Sequence, residues 1–150
     1  MRGFSFSMKS NLLLVLILGI FLIGCNSSNS STKSKICPQC NMPLPTDNKY
    51  TAYIKDGNYF DDIGCLILWS RANKIELKSQ KVFVFDPDRK EYIDAKTAHY
   101  TIDEKTPMNY GFVGYTQPKE DRIDFKEMQL RMLRGEHLAN PKIRKKIIGH

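Results

Sequence analysis

The sequence lacks the residue groupings that most enzymes need. It has only three histidines and nine glycines among its 150 residues. It contains no Ser/His/Asp group, no pair of catalytic carboxylates and no glycine-rich loop of the kind that cradles a phosphate. These absences argue against an enzyme, and we therefore expect a protein that binds rather than catalyses.

The sequence also lacks an apolar run long enough to cross a membrane. Residues 11–25 are uncharged and mostly apolar, but this run falls short of the roughly 20 residues that a membrane-spanning helix needs. Arg2 and Lys9 precede it, which is typical of a signal peptide. Its last four residues, Leu-Ile-Gly-Cys, resemble the lipobox of bacterial lipoproteins. The resemblance implies cleavage before Cys25 and lipid attachment to that cysteine; an uncleaved anchor is the alternative.

Residues 26–35 contain no side chain that could join a hydrophobic core. They read NSSNSSTKSK, a composition that cannot bury enough apolar surface to offset the entropy of ordering. We therefore interpret residues 1–24 as a lipoprotein signal peptide, residues 25–35 as a flexible lipid-anchored tether and residues 36–150 as one folded domain. Such a protein is expected to face the periplasm or the cell exterior from a membrane.

Acidic residues are outnumbered by basic ones, 16 to 23, which gives a formal charge of +7. Cleavage after residue 24 removes Arg2 and Lys9 and no acid, which leaves +5. Because an exported protein does not meet nucleic acid, this excess indicates anionic lipid headgroups as the counter-charge. Asn140 and Pro141 predict the start of a helix that carries the densest basic cluster, residues 142–146. A solvated terminal helix is the alternative to contact with the membrane.

The folded part predicts an α+β fold with small antiparallel sheets and helices, arranged as two ββα-type units of about residues 36–80 and 81–150. In the first unit, Asp56-Gly57 predicts a hairpin turn between two short strands. Asp62 and Asn73 then bound a predicted helix. Its apolar positions at i, i+3, i+4 and i+7 predict a buried stripe of Cys65, Leu68, Trp69 and Ala72.

The second unit also consists of strands followed by a helix. Residues 80–88 and 108–116 are typical of strands. Asp124 and Glu127 form a capping-box arrangement, and Gly135 predicts the end of the helix that follows. Across both units we expect these side chains in the core: Trp69, Phe85, Phe112, Phe125, Met128, Met132 and Leu133.

The stretch ICPQCNMPLP, residues 36–45, places two cysteines three positions apart. A redox Cys-x-x-Cys pair sits at the start of a helix, where the helix dipole favours the thiolate. Pro43 and Pro45 would break such a helix almost at once. We therefore expect a loop, which argues against a thioredoxin-like oxidoreductase.

Two kinds of metal fit this loop. Zinc would need four ligands, which Cys37, Cys40, Cys65 and His99 could supply as a structural site in a protein-interaction module. Copper(I) prefers thiolate and thioether donors and accepts fewer of them. For copper(I), Cys40 would act with Met42. Alternatively, Met42 plugs the loop, Cys65 is a core residue, and Cys37 is a supporting thiol, a ligand or half of a disulfide.

Three segments together resemble the NosL family of lipoprotein accessory factors for nitrous oxide reductase assembly. They are CPQCNMPL, AYIKDGNYFDDIGCLILW and YTIDEKTPMNYGFVGY, and they span most of residues 36–115. The resemblance implies a pair of ββα-like units with a copper(I) site. Its ligands would be Cys40, Met42 and Met108. Apart from the resemblance, Cys37 and Cys65 are further candidates because of their thiols.

The resemblance further implies a membrane-anchored extracytoplasmic copper chaperone. Its partners would be a copper enzyme, namely the nitrous oxide reductase of denitrification, and the assembly factors of that enzyme. The sequence departs from the family pattern at Asn41, where the family has glycine. That change matters only if the residue needs a positive φ, which asparagine tolerates better than most residues. The family's later Gly-Gly step is also missing, which leaves the role of the C-terminal region open.

The lipoprotein interpretation predicts that Cys25 carries fatty acid. Cells grown with a labelled fatty acid should incorporate label into the parent protein, because a lipobox cysteine receives the lipid on its thiol. A Cys25→Ser protein should incorporate none. Label on that variant, detected on a denaturing gel, would contradict the lipid anchor.

Overall fold

The computed structural model describes residues 35–149, which form helices and antiparallel sheets. The predicted α+β fold class is confirmed. The signal peptide predicted for residues 1–24, the lipid site at Cys25 and the tether up to residue 34 lie outside the described residues. Within residues 35–149, no helix is both long enough and apolar enough to pass through a lipid bilayer.

Within residues 35–149, six strands and three α-helices follow one another. The strands are β1 (Ala52–Ile54), β2 (Tyr59–Phe60), β3 (Val82–Asp86), β4 (Glu91–Asp94), β5 (His99–Tyr100) and β6 (Gly114–Tyr115). The helices are α1 (Ile63–Ala72), between β2 and β3, and α2 (Phe125–Arg134) and α3 (Pro141–Ile148), after β6.

The strands form two sheets. One has four strands in the order β2-β1-β3-β4, and the other pairs β5 with β6; all pairings are antiparallel. The predicted hairpin joins β1 to β2, and its turn places Asp56 at φ 59°. Tyr53 of β1 lies opposite Phe83 of β3. Because this pairing joins strands from the two predicted units, the units share one sheet and one core.

Helix α1 begins and ends where the sequence predicts. The Asp62 side chain caps it by accepting a hydrogen bond from the Cys65 backbone N–H at 2.8 Å, and Asn73 ends it. The predicted buried stripe is correct only in part: Cys65 is buried, but Leu68 and Trp69 are half-buried and Ala72 is exposed. The helix packs against β1, β2 and α2. Its fully buried side chains include Ile63, Leu66, Ile67 and Ser70.

Helix α2 packs against α1 and β5 and so contributes to the core. Asp124 caps it by accepting from the Glu127 N–H at 2.8 Å, and Gly135 ends it at φ 72°. Met128 and Met132 are buried, as the core interpretation expected. Of the other predicted core residues, Phe85, Phe112 and Phe125 are buried, while Trp69 and Leu133 are partly buried and pack against the core.

Asp86, at the end of β3, ties the large sheet to the chain that follows β6. One carboxylate oxygen accepts from the backbone N–H and the hydroxyl of Thr116, both at 2.8 Å. The other accepts from the N–H groups of Asp88 at 3.0 Å and Arg89 at 3.2 Å. Burial alone raises the pKa of this carboxyl, but the four donors outweigh it and hold the pKa below the usual 3.8.

We expect Asp86→Asn to destabilise the protein by about 1–3 kcal/mol at neutral pH, because the amide lacks the charge and half of the acceptors. The folded pKa is lowered, so the ionised carboxylate stabilises the fold above pH 3.8 and this contribution fades as the pH falls below it. The difference in the free energy of unfolding between parent and variant should therefore be smaller at acidic pH. Urea unfolding at neutral and acidic pH measures it, with the exposed Asp88→Asn as control; an equal gap at both pH values would contradict the assignment.

Candidate metal centre

The cysteine loop is a tight turn without helix, as predicted. The Cys37 N–H donates to the Met42 carbonyl at 2.9 Å, and the Asn41 N–H donates to the Cys37 carbonyl at 2.9 Å. An antiparallel bridge between Ile36 and Pro43 closes the base of the loop. Asn41 has φ 61°, in the left-handed region. That conformation favours glycine and, next to it, asparagine, which explains how asparagine can stand there.

The first turn of α1 supplies the other half of the centre. Asp61 and the cap residue Asp62 are buried just before the helix, and Cys65 is buried within its first turn. The Asp62 N–H donates to one Asp61 carboxylate oxygen at 3.1 Å. The other oxygen accepts from the Cys40 thiol at 3.2 Å. This hydrogen bond joins the loop to the helix.

Four side chains converge where the loop meets the helix. The sulfurs of Cys37, Cys40 and Cys65 and a carboxylate oxygen of Asp61 all lie within 4.8 Å of one another. The three cysteines are free thiols. Cys37, Asp61 and Cys65 are buried, whereas Cys40 is partly exposed. We call these four residues the thiol cluster; within it, Cys40 is the side chain that solvent or another molecule can reach.

Cys37 is the thiol most easily deprotonated. The neighbouring Cys65 thiol is the main reason why the pKa of Cys37 falls from 9.0 to about 6, against the effect of burial. The backbone N–H groups of Gln39, Cys40 and Asp61 lower it further. These donors stabilise a negative sulfur before any metal arrives.

The other two thiols keep their protons in the metal-free protein. Burial, together with the Asp61 carboxylate, raises the pKa of Cys40 to about 12. The Cys37 sulfur, burial and the Asp62 carboxylate raise the pKa of Cys65. A metal that uses all three sulfurs must therefore displace two protons.

The surroundings of the cluster are strongly acidic. Asp62 is 1% exposed, and burial raises its pKa to about 7. Its second carboxylate oxygen has no hydrogen-bond partner within the described residues. The pKa of Tyr110 rises to about 12, first through burial and then through the neighbouring Cys65 and Asp62, which repel a tyrosinate once they are ionised. The field at the cluster therefore favours a cation.

A loop of the second half lies over the same helix end. The Tyr110 ring packs so closely on Gly64 that a Cβ added to Gly64 would lie 2.3 Å from a ring carbon. Burial dominates and raises the pKa of Asp62, and the nearby Met108 backbone and Thr106 side chain oppose that rise only in part. The segment that carries Met108 therefore borders the helix turn that carries Cys65.

The sequence predicted part of this cluster. Cys37, Cys40 and Cys65 come together, but His99 lies in β5 and is not part of the group, so the predicted Cys/His zinc set is wrong. Asp61 takes the fourth place, and sequence reasoning missed it. Its signal was a second acidic residue directly before a helix cap that lies near a cysteine.

The two predicted thioether ligands, Met42 and Met108, differ in exposure. Met42 is 36% exposed beside the cluster loop, and Met108 is partly buried and packs against the core. Both remain predictions.

The three sulfurs and one carboxylate of the thiol cluster are suitable ligands for more than one metal. Three sulfurs with an open side suit copper(I), while three sulfurs with a carboxylate can hold zinc in a tetrahedron. Comparison with known proteins does not decide between them, because no family model, curated protein or solved structure matches the chain.

The metal-free domain should stay folded. Cys37 and Cys65 belong to a buried apolar core that runs from β1 through α1 to α2 and does not depend on an ion for its packing. A strong chelator should leave the far-ultraviolet circular dichroism unchanged and lower the melting temperature only by the loss of bound metal. Collapse of the dichroism would instead indicate a structural zinc site that drives folding.

Proposed function

We propose that this chain is a membrane-anchored extracytoplasmic copper(I) chaperone that passes its ion to a copper enzyme. The observation that carries the proposal is the thiol cluster, in which three sulfurs meet and only the Cys40 sulfur is partly exposed. Soft monovalent copper prefers such donors. The cluster is also surrounded by acidic groups, so it favours any cation over an anion.

Unequal exposure of the ligands suits delivery. Cys37 and Cys65 hold an ion from the buried side, while Cys40 lies at the surface. A donor from another protein can replace Cys40 first and the buried sulfurs later. Exchange in steps avoids release of a free ion, which a carrier must prevent.

Met42 and Met108 are the thioether ligands in this proposal. Because copper(I) accepts fewer than four donors, they bind it together with Cys40 at the surface, before the ion moves to the buried sulfurs of Cys37 and Cys65. Met42 follows Cys40 by two residues in the same tight turn and is partly exposed. Met108 belongs to the loop that borders the cap of α1. Thioethers are neutral and carry no proton to displace, so they could hold copper at the surface without adding negative charge to an already acidic site.

The proposed client and location come from the NosL resemblance. By that resemblance the copper enzyme is nitrous oxide reductase, and the protein works with the assembly factors of that enzyme. A lipid on Cys25 would anchor it to a membrane, on the periplasmic or external side. The protein would act as a carrier and not as an enzyme.

A zinc site is the second candidate, and Asp61 is the observation that favours it. With Asp61, the cluster offers four donors, which is the number a closed zinc site needs. Zinc accepts carboxylate oxygen readily, whereas copper(I) favours sulfur. In this alternative the lipoprotein would be an interaction module whose metal is structural.

Competition titrations with a copper(I) chelator, under anaerobic conditions, test the proposal. Cys40→Ser and Cys65→Ser should each weaken copper(I) binding by more than about 100-fold, since each removes a ligand rather than a supporting group. Met42→Leu and Met108→Leu should weaken it less and leave the fold intact. His99→Ala, outside the cluster, is the matched control and should bind like the parent.

Asp61→Asn separates the two metals. It keeps the shape of the side chain but removes the charge, so zinc affinity should fall strongly while copper(I) affinity changes little. Tighter binding of zinc than of copper(I) by the parent would favour the second candidate. A Cys40→Ser protein that competes as well as the parent would exclude copper delivery through this cluster.

A further inference from the structure

The four-stranded sheet has one buried face and one aromatic face. Alternate residues of β1 and β3 point to opposite sides. On one side Ala52, Ile54, Val82 and Val84 are buried in the core. On the other side lie four partly exposed aromatic residues, which we call the aromatic face: Tyr53, Tyr59, Phe83 and Tyr92.

The rings of the aromatic face stack on one another. Tyr53 lies between Tyr59 and Phe83, with ring centroids at 4.7 and 4.9 Å and planes 17° apart. Tyr92 meets Tyr53 edge-on at 4.8 Å. Because Tyr53 has a ring on each of its faces, it is not free to stack on a sugar or a base. A row of tyrosines with apolar bodies and polar tips instead suits the boundary between lipid and water.

Lysines surround this face. The Lys35 ammonium lies 4.0 Å above the Tyr59 ring. Lys55 and Lys81 are exposed and lie directly beyond the paired ends of β1 and β3, where the Lys55 N–H donates to the Lys81 carbonyl at 2.8 Å. One more step of the strand alternation from Tyr53 and Phe83 would place both lysines on the aromatic side. Asp94, opposite Phe83, is an acid on the same side. Three lysines against this acid make the face complementary to an anionic surface.

The chain reaches the domain at this same face. Lys35 is the first described residue, and it lies on Tyr59. Ile36 follows with 55% of its side chain exposed, the largest exposure among the big apolar residues described. Residues 26–34 can span at most about 30 Å. A lipid on Cys25 would therefore keep the aromatic face within reach of the bilayer.

We propose that the aromatic face is a membrane-docking surface that rests on anionic phospholipid headgroups. This inference rests on the lipid anchor of the proposed function. The tyrosines would lie at the level of the headgroups, and the lysines would contact their phosphates. Docking would hold the domain in one orientation instead of letting it turn freely on its tether.

Co-sedimentation with vesicles tests the proposal without lipid anchor or metal. The experiment uses residues 26–150, since the described residues hold their own core and residues 34–150 form one compact unit. The parent should bind vesicles of phosphatidylglycerol and phosphatidylcholine more tightly than vesicles of phosphatidylcholine alone, and added salt should weaken this binding. Equal binding to both vesicles, or none to either, would overturn the proposal.

Two variants of equal charge change locate the surface. The triple variant Lys35→Glu, Lys55→Glu, Lys81→Glu should lower binding to anionic vesicles about 100-fold or more, since three lysines near a lipid surface together contribute about that much. The control is Lys142→Glu, Lys145→Glu, Lys146→Glu in α3, which changes the net charge equally in the exposed basic helix. The control variant should lose much less affinity for anionic vesicles than the triple variant. An equal or greater loss would mean that the protein contacts the membrane elsewhere, and would overturn the proposal.

A further variant tests whether the tyrosines of the aromatic face contribute to binding. Tyr59→Ser keeps every lysine and should also weaken vesicle binding, with circular dichroism confirming the fold. Binding as tight as that of the parent would mean that charge alone attracts the protein and that the tyrosines do not dock. These vesicle measurements involve neither copper nor Cys25. A negative result would therefore overturn membrane docking without bearing on copper(I) binding, which the titration tests, or on the lipid anchor, which the fatty-acid labelling tests.

Discussion

The N-terminus of α1 is the point on which the rest of the site depends. Asp62 accepts the Cys65 N–H and so fixes where the helix starts. That start sets the position of Cys65 in the first turn and of Asp61 just outside it. Asp61 in turn accepts from Cys40 and holds the cysteine loop in place. The Tyr110 ring closes the same helix end from the second half of the chain. If the helix began one residue later, all of these contacts would be lost together.

Placing several thiols and carboxylates together at the N-terminus of α1 is electrostatically unfavourable unless protons or a metal ion neutralise their charge. The buried Cys37, Asp61, Asp62 and Cys65 and the partly exposed Cys40 place three thiols and two carboxylates in one small region. Full ionisation without a cation would leave several unpaired negative charges in a medium of low dielectric. The raised pKa values of Cys40 and Cys65 express this cost, since those thiols keep their protons. An arriving metal takes over the positive charge that the protons provide.

Local signals in the sequence determined what could be predicted. Asp62 and Asn73 bound α1 because capping is a matter of a few neighbouring residues. The buried side of α1 was misjudged because residues 63–69 are apolar almost without interruption, so two helical stripes fit equally well. The pairing of β1 with β3, the distance of His99 from the cysteines and the meeting of Asp61 with Cys40 all depend on contacts between distant segments. No spacing in the sequence encodes them.

The contact between Gly64 and Tyr110 sets a limit on evolutionary drift. Any side chain at position 64 would collide with the aromatic ring, because even a Cβ would lie 2.3 Å from it. A larger residue can therefore enter at position 64 only after position 110 has become smaller. Such a change would open the helix end above Cys65 to water. The two positions are thus expected to covary among descendants of this sequence, as a size-matched pair joining its two halves.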